Sequence, residues 1–189
     1  MRVIGGNLKG KKILMPVDKN TRPLRDLVRE SIFNLLVHSK KIKFEIQNSK
    51  VLDLFSGSGS FGLECISRGA NSVTFFENYD KAIKVLKINI GNLDVTSNTK
   101  IIEKNCFDYF ETLANFEFRY DLIFLDPPYK ERKINFLIDN IYKKKILQKD
   151  GVLIIHRHKK DDIKISDSLK ILDDRNSVSY THLTLPTST

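Results

Sequence analysis

Asp126-Pro127-Pro128-Tyr129 closes an apolar run, Leu122-Ile123-Phe124-Leu125, that reads as a buried strand. A carboxylate, two prolines and an aromatic at the exit of a parallel strand make a rigid shelf, because proline fixes its own φ and biases its predecessor towards extended geometry. Such a shelf suits a planar base with an exocyclic amino group. The Asp126 carboxylate and the Pro127 carbonyl can accept its two N–H bonds while the Tyr129 ring stacks on its face. A second constellation lies upstream. Gly57-Ser58-Gly59-Ser60-Phe61-Gly62 satisfies G-x-G-x-x-G between a strand and a helix. Glu77 follows 20 residues after Gly57, where an acid can hold ribose hydroxyls.

The glycine loop alone fits a dinucleotide or S-adenosylmethionine. Asp53, in Asp-Leu-Phe-Ser-Gly-Ser-Gly, favours the second, since a carboxylate there can face an ammonium group but would repel a pyrophosphate. A hydride transferase also has no use for Asp126–Tyr129. Asn105-Cys106 follows the third strand, where the Asn105 amide oxygen could accept from an adenine amino group or cap the next helix. His156 and His158 stand two apart, with no Cys or acidic partner at ligand spacing, so no metal site is expected.

These residues need a sheet to hold them. Strand signals at Val51–Phe55, Ser72–Phe76, Lys100–Glu103, Asp121–Leu125 and Gly151–Ile155 alternate with helix signals near 60–68, 80–91, 107–114 and 132–144. The expected fold is α/β, a Rossmann-like parallel sheet with helices on both faces. The apolar stripes are Ala82, Ile83, Leu86 and Ile90 on one helix, and positions 134, 137, 138 and 141 on another. Before the sheet, Arg2-Val3-Ile4, Gly5-Gly6-Asn7 and Leu8–Leu14 suggest a small hairpin. Thr21-Arg22-Pro23 then leads into a helix near 26–38, with Val28, Ile32, Leu35 and Leu36 inward and Arg25 and Arg29 outward.

The net charge of +9 is unevenly placed. Residues 1–50 carry 12 Lys/Arg against four acids, and the remaining 139 residues hold almost balanced charge. One basic arm on a near-neutral body is the footprint of a polyanionic partner. No apolar run approaches a membrane span and the first residues lack a signal-peptide core, so a cytoplasmic protein is expected. Cys65 and Cys106 are too few for a disulfide framework. Ser177–Thr189 carries no Lys, Arg, Asp or Glu in a chain that is 29% charged. It resembles translated read-through of a transposon-type sequencing adapter, and 177–189 is expected to be a non-native tail that replaces the usual edge hairpin.

Together, these motifs resemble the bacterial 16S rRNA guanine-N2 methyltransferases over about residues 1–160. The arm is similar to that family's Arg-x-Ile-x-Gly start and to its Arg-Pro-x-x-Asp-x-Val-Arg-Glu signature, here Arg22-Pro23-Leu24-Arg25-Asp26-Leu27-Val28-Arg29-Glu30. The resemblance implies a class I methyltransferase fold, with S-adenosyl-L-methionine at Asp53, Phe55, Gly57, Gly59, Glu77, Asn105 and Cys106. It implies a target base at Asp126, Pro127, Pro128 and Tyr129, and RNA contacts from Arg2, Lys9, Lys11, Lys12, Arg22, Arg25 and Arg29. Residues 1–49 would then be an RNA-binding extension packed on a catalytic domain at 50–176. The implied partner of this expected monomer is 16S rRNA within the small ribosomal subunit. Three departures stand out: Leu24 for a usual Thr or Ser, Asn105 for a usual Asp, and His156-Arg157 where an acid is common. None is expected to touch the transfer step.

A DNA adenine-N6 or cytosine-N4 methyltransferase shares the loop and the shelf, but about 50 residues of arm leave little room for a target-recognition region. A non-catalytic RNA-binding domain is opposed by the complete motifs. A nicotinamide oxidoreductase is opposed by Asp53.

Overall fold

The computed structural model describes residues 1–18, 24–112, 118–128, 131–157, 169–177 and 179–186. Helix α1 (Asp26–His38) precedes an alternation of β1 (Lys50–Leu54), α2 (Ser60–Ser67), β2 (Ser72–Phe76), α3 (Asp80–Asn92), β3 (Thr99–Ile102), α4 (Cys106–Thr112), β4 (Tyr120–Leu125), α5 (Ile134–Lys143) and β5 (Leu147–Arg157). Strands β6 (Leu169–Ser177) and β7 (Ser179–Pro186) follow. The sheet order is β3-β2-β1-β4-β5-β7-β6. The first five strands are mutually parallel, and β7 runs antiparallel to both β5 and β6. Strand order therefore reverses between β1 and β4, the place where open α/β sheets bind ligands beyond their carboxyl ends.

The strands read as continuous apolar runs because both faces of the sheet are covered. Val51, Leu122, Phe124, Val152 and Ile154 pack towards the arm, α1, α2 and α3. Their alternates Leu52, Leu54, Ile123, Leu125, Leu153 and Ile155 pack towards α4 and α5. The expected stripes of α3 and α5 are all buried. Among the described residues no helix is long and apolar enough to cross a membrane.

Residues 2–4 and 8–14 pair antiparallel as the expected small hairpin, through the Arg2–Lys12 bridge and the backbone hydrogen bonds from Val3 N–H to the Lys11 carbonyl, from Gly10 N–H to the Val3 carbonyl and from Ile13 N–H to the Met1 carbonyl (each 2.9 Å). The intervening loop is spent on α2, where the backbone N–H of Asn7 donates to the Ser67 carbonyl (2.8 Å) and that of Leu8 to the Ser67 hydroxyl (2.9 Å). At the other end, residues 179–186 form β7 between β5 and β6, so an edge hairpin is present and is built partly from the uncharged segment.

Candidate active site

β1 delivers its loop to the switch point in a constrained form. Phe55 leaves the strand at φ 63°, a left-handed conformation unusual for a bulky residue. Gly59 has φ 81°, and a Cβ there would come within 2.3 Å of the Leu86 side chain, so only glycine fits. Asp53 lies beneath this turn, 1% exposed, accepting the Gly62 N–H at 3.0 Å. Burial pushes its carboxyl well above the ordinary range; the nearby Asp126 and Glu77 charges add to the rise and the Gly62 hydrogen bond opposes it.

Glu77, just past β2, holds the loop from the side. One carboxylate oxygen accepts the Gly57 N–H (2.7 Å), and the other accepts the N–H groups of Asn78 (2.9 Å) and Tyr79 (3.0 Å). Phe55, Glu77, Asn105 and Cys106 then meet around one small cleft of about 30 Å³, with Phe76, Asn78 and Lys104 completing its wall. Four of the seven expected cofactor residues thus line one opening, while Asp53, Gly57 and Gly59 form the turn beside it. The Asn105 amide oxygen accepts the Phe107 N–H (2.9 Å), so it caps α4. Burial pushes the Cys106 thiol up to about 12, leaving it a protonated wall residue.

β4 adjoins β1, pairing Asp53 with Phe124, so Asp126 emerges two residues further on the same face. Pro127 is buried and Pro128 exposed. Tyr129 and Arg22 lie outside the described residues, as does His158. Asp126 is held by a residue expected to play no part: His156 Nδ1 lies 2.7 Å from Asp126 Oδ1. The contact joins His156 to Asp126, one of the residues expected at the base site, although no part in that site was expected of His156.

Of the arm cations, Arg2, Lys9, Lys11, Lys12 and Arg25 are exposed. Arg29 is not. It is fully buried, hydrogen-bonded to the Arg2 carbonyl and to Asp26 (3.1 Å), and 3.8 Å from the equally buried Glu64. Its expected place on the outer face is corrected: α1 turns positions 29, 32, 33 and 36 inward, and the guanidinium is tolerated there because acids meet it.

Comparison with known proteins bears on the family and the fold. The family model described as "Conserved hypothetical protein 95" matches residues 1–185. The ribosomal RNA small subunit methyltransferase D of Buchnera aphidicola (subsp. Acyrthosiphon pisum) is 38% identical over 161 residues, covering 85% of this chain and 80% of that one. The protein of the same name from Escherichia coli K12 is 34% identical over 145 residues, covering 74% and 68%. The chain belongs to this methyltransferase family. Its fold matches the solved structure of yhhF from Escherichia coli, with a TM-score of 0.84 at 23% identity, covering 100% of this chain and 99% of that one.

In this methyltransferase three polar side chains escape the sequence reading. Asn89, fully buried on α3, exchanges hydrogen bonds with the Leu14 backbone (2.8 and 3.0 Å) and donates to the Ser58 carbonyl (2.9 Å), tying arm to glycine loop. Glu64 on α2 accepts the N–H groups of Ile4 (2.8 Å) and Gly5 (2.7 Å). His156 is the third. Asn89 and Glu64 were findable as polar residues on otherwise apolar helix faces, whereas His156 needed the β4–β5 register.

Proposed function

We propose that this enzyme transfers the methyl group of S-adenosyl-L-methionine to the exocyclic N2 amino group of a guanine in 16S rRNA of the small ribosomal subunit. The observation that carries the reading is the juxtaposition, at one switch point, of the Phe55–Glu77–Asn105–Cys106 cleft with Asp126. The cleft suits an adenosyl group: an aromatic wall at Phe55, and at Glu77 a carboxylate with about four acceptor positions, three of them taken by backbone donors. Asp53, Gly57 and Gly59 flank the remainder of the cofactor. When bound, the sulfonium supplies an electrophilic methyl group.

The protein's part is positioning. A base in a duplex hides its amino group, so the target guanine must leave its stack. Asp126 and the Pro127 carbonyl accept its N–H bonds, and Tyr129 stacks on the ring. The rate comes from holding the amine in a reactive pose and from the electrostatics around it, with no strong base required. Exposed Arg2, Lys9, Lys11, Lys12 and Arg25, with Arg22, contact the RNA backbone.

The test is labelled methyl transfer to small ribosomal subunits lacking the modification, with duplex DNA as competitor. Label in rRNA supports the reading; label in DNA alone transfers it to a DNA amino-methyltransferase.

A further inference from the structure

The β4–β5 ladder pairs Leu125 with Ile155, so its next step sets His156 beside Asp126. The two side chains are 9% and 23% exposed, with Nδ1 and Oδ1 2.7 Å apart. An ionised Asp126 has only acceptors to offer, so Nδ1 carries the proton in this contact. Nε2 is buried and has no hydrogen-bond partner among the described residues. A histidine kept purely as a structural strut would have both nitrogens satisfied. Among the described residues, Asp126 is the one polar partner of its ring.

We propose that His156 is a positioning residue for methyl transfer, holding one oxygen of Asp126 so that the other is presented to the substrate amine. The proposal rests on the reading of Asp126 as the residue that faces that amine. An aspartate carboxylate rotates freely about its last torsion, a broad and roughly two-fold well. A donor locked on Oδ1 removes that freedom and leaves Oδ2 to accept one amine N–H. The neighbouring residue grips the far end of the same segment: Arg157 donates to the Glu131 carbonyl (2.6 Å), and the Glu131 N–H donates to the Pro128 carbonyl (2.9 Å). Successive residues of β5, a buried interior strand of the sheet, therefore hold Asp126 and Glu131.

The experiment measures kcat, KM for S-adenosylmethionine and RNA affinity, with thermal melting, for His156→Leu, His156→Asn and His156→Gln beside Asp126→Ala. An asparagine amide stands where Nδ1 stands; a glutamine amide reaches the Nε2 position instead. His156→Leu is expected to lose on the order of 100-fold in kcat, the cost of a misplaced group, with KM and RNA affinity nearly unchanged. His156→Asn should recover most of that loss and His156→Gln should not. Wild-type kcat in His156→Leu, alongside an inactive Asp126→Ala, would overturn the role of His156 and leave Asp126 standing. Loss of melting temperature with no rescue by asparagine would reduce His156 to packing. Full turnover in Asp126→Ala would remove the reading beneath the proposal.

Discussion

Glu77 accepts the backbone N–H of Gly57 at 2.7 Å, so a carboxylate at the end of β2 fixes the turn that follows β1. The same side chain that is suited to ribose hydroxyls also sets the shape of the glycine loop. Replacing it should therefore cost more than one ligand contact. Glu77→Gln keeps a single acceptor oxygen and strands at least one backbone donor. A hydrogen bond to a charged group contributes about 1.5–3 kcal/mol, so cofactor affinity should fall at least tenfold. Calorimetric titration with S-adenosylmethionine checks this, and unchanged affinity would show that the loop is held by other means.

Arg29 and Arg25 should separate cleanly. Both belong to the basic arm, but Arg29 is sealed against Glu64 while Arg25 is exposed. Arg29→Ala empties a fully buried position and removes the hydrogen bonds to the Arg2 carbonyl and Asp26, while Glu64 keeps Arg68 at 2.8 Å, so the cost is about 1–3 kcal/mol. It should lower the melting temperature and weaken RNA binding independently of salt. Arg25→Ala should leave stability within about 0.5 kcal/mol and reduce the salt dependence of RNA binding by roughly one phosphate contact. Filter binding at several salt concentrations, with melting curves, distinguishes the two.

Asp53 gives a pH dependence whose sign can be worked out. Its folded-state carboxyl lies well above the ordinary range, chiefly through burial, so the folded protein holds a proton that the unfolded chain releases near pH 4. Stability therefore falls as pH rises from about 4 towards the raised folded value. Asp53→Asn, which can still accept the Gly62 N–H, removes this component. The wild-type melting temperature, measured relative to the variant without cofactor, should decline across that window. A constant difference would mean that Asp53 is solvated or compensated in solution.

Much of this architecture was legible from local pattern. Gly59 needed only its place after a strand, and Asp126 only the apolar run before two prolines. The stripes of α3 and α5 follow from period 3.6 alone. What escaped were relationships between distant segments. Helix α1 offers two plausible inward arcs, one through Val28 and one through Arg29. The choice depends on Glu64, an acid of α2 that sequence spacing does not connect with α1. His156 looked like an isolated histidine because its meaning lies in the register of β5 against β4, which shifts between Tyr120 and Leu122. Asn105 had two readings, and the hydrogen bond to Phe107 shows that it caps α4.

The most direct test of the central claim is nucleoside analysis after methyl transfer. Wild-type enzyme and Asp126→Ala are incubated with labelled S-adenosylmethionine and small ribosomal subunits that lack the modification, and the 16S rRNA is digested. The account predicts label in N2-methylguanosine with the wild type and none with Asp126→Ala, whose cofactor affinity stays within about twofold, under 0.5 kcal/mol. Label in any other nucleoside, or undiminished transfer by Asp126→Ala, would contradict it.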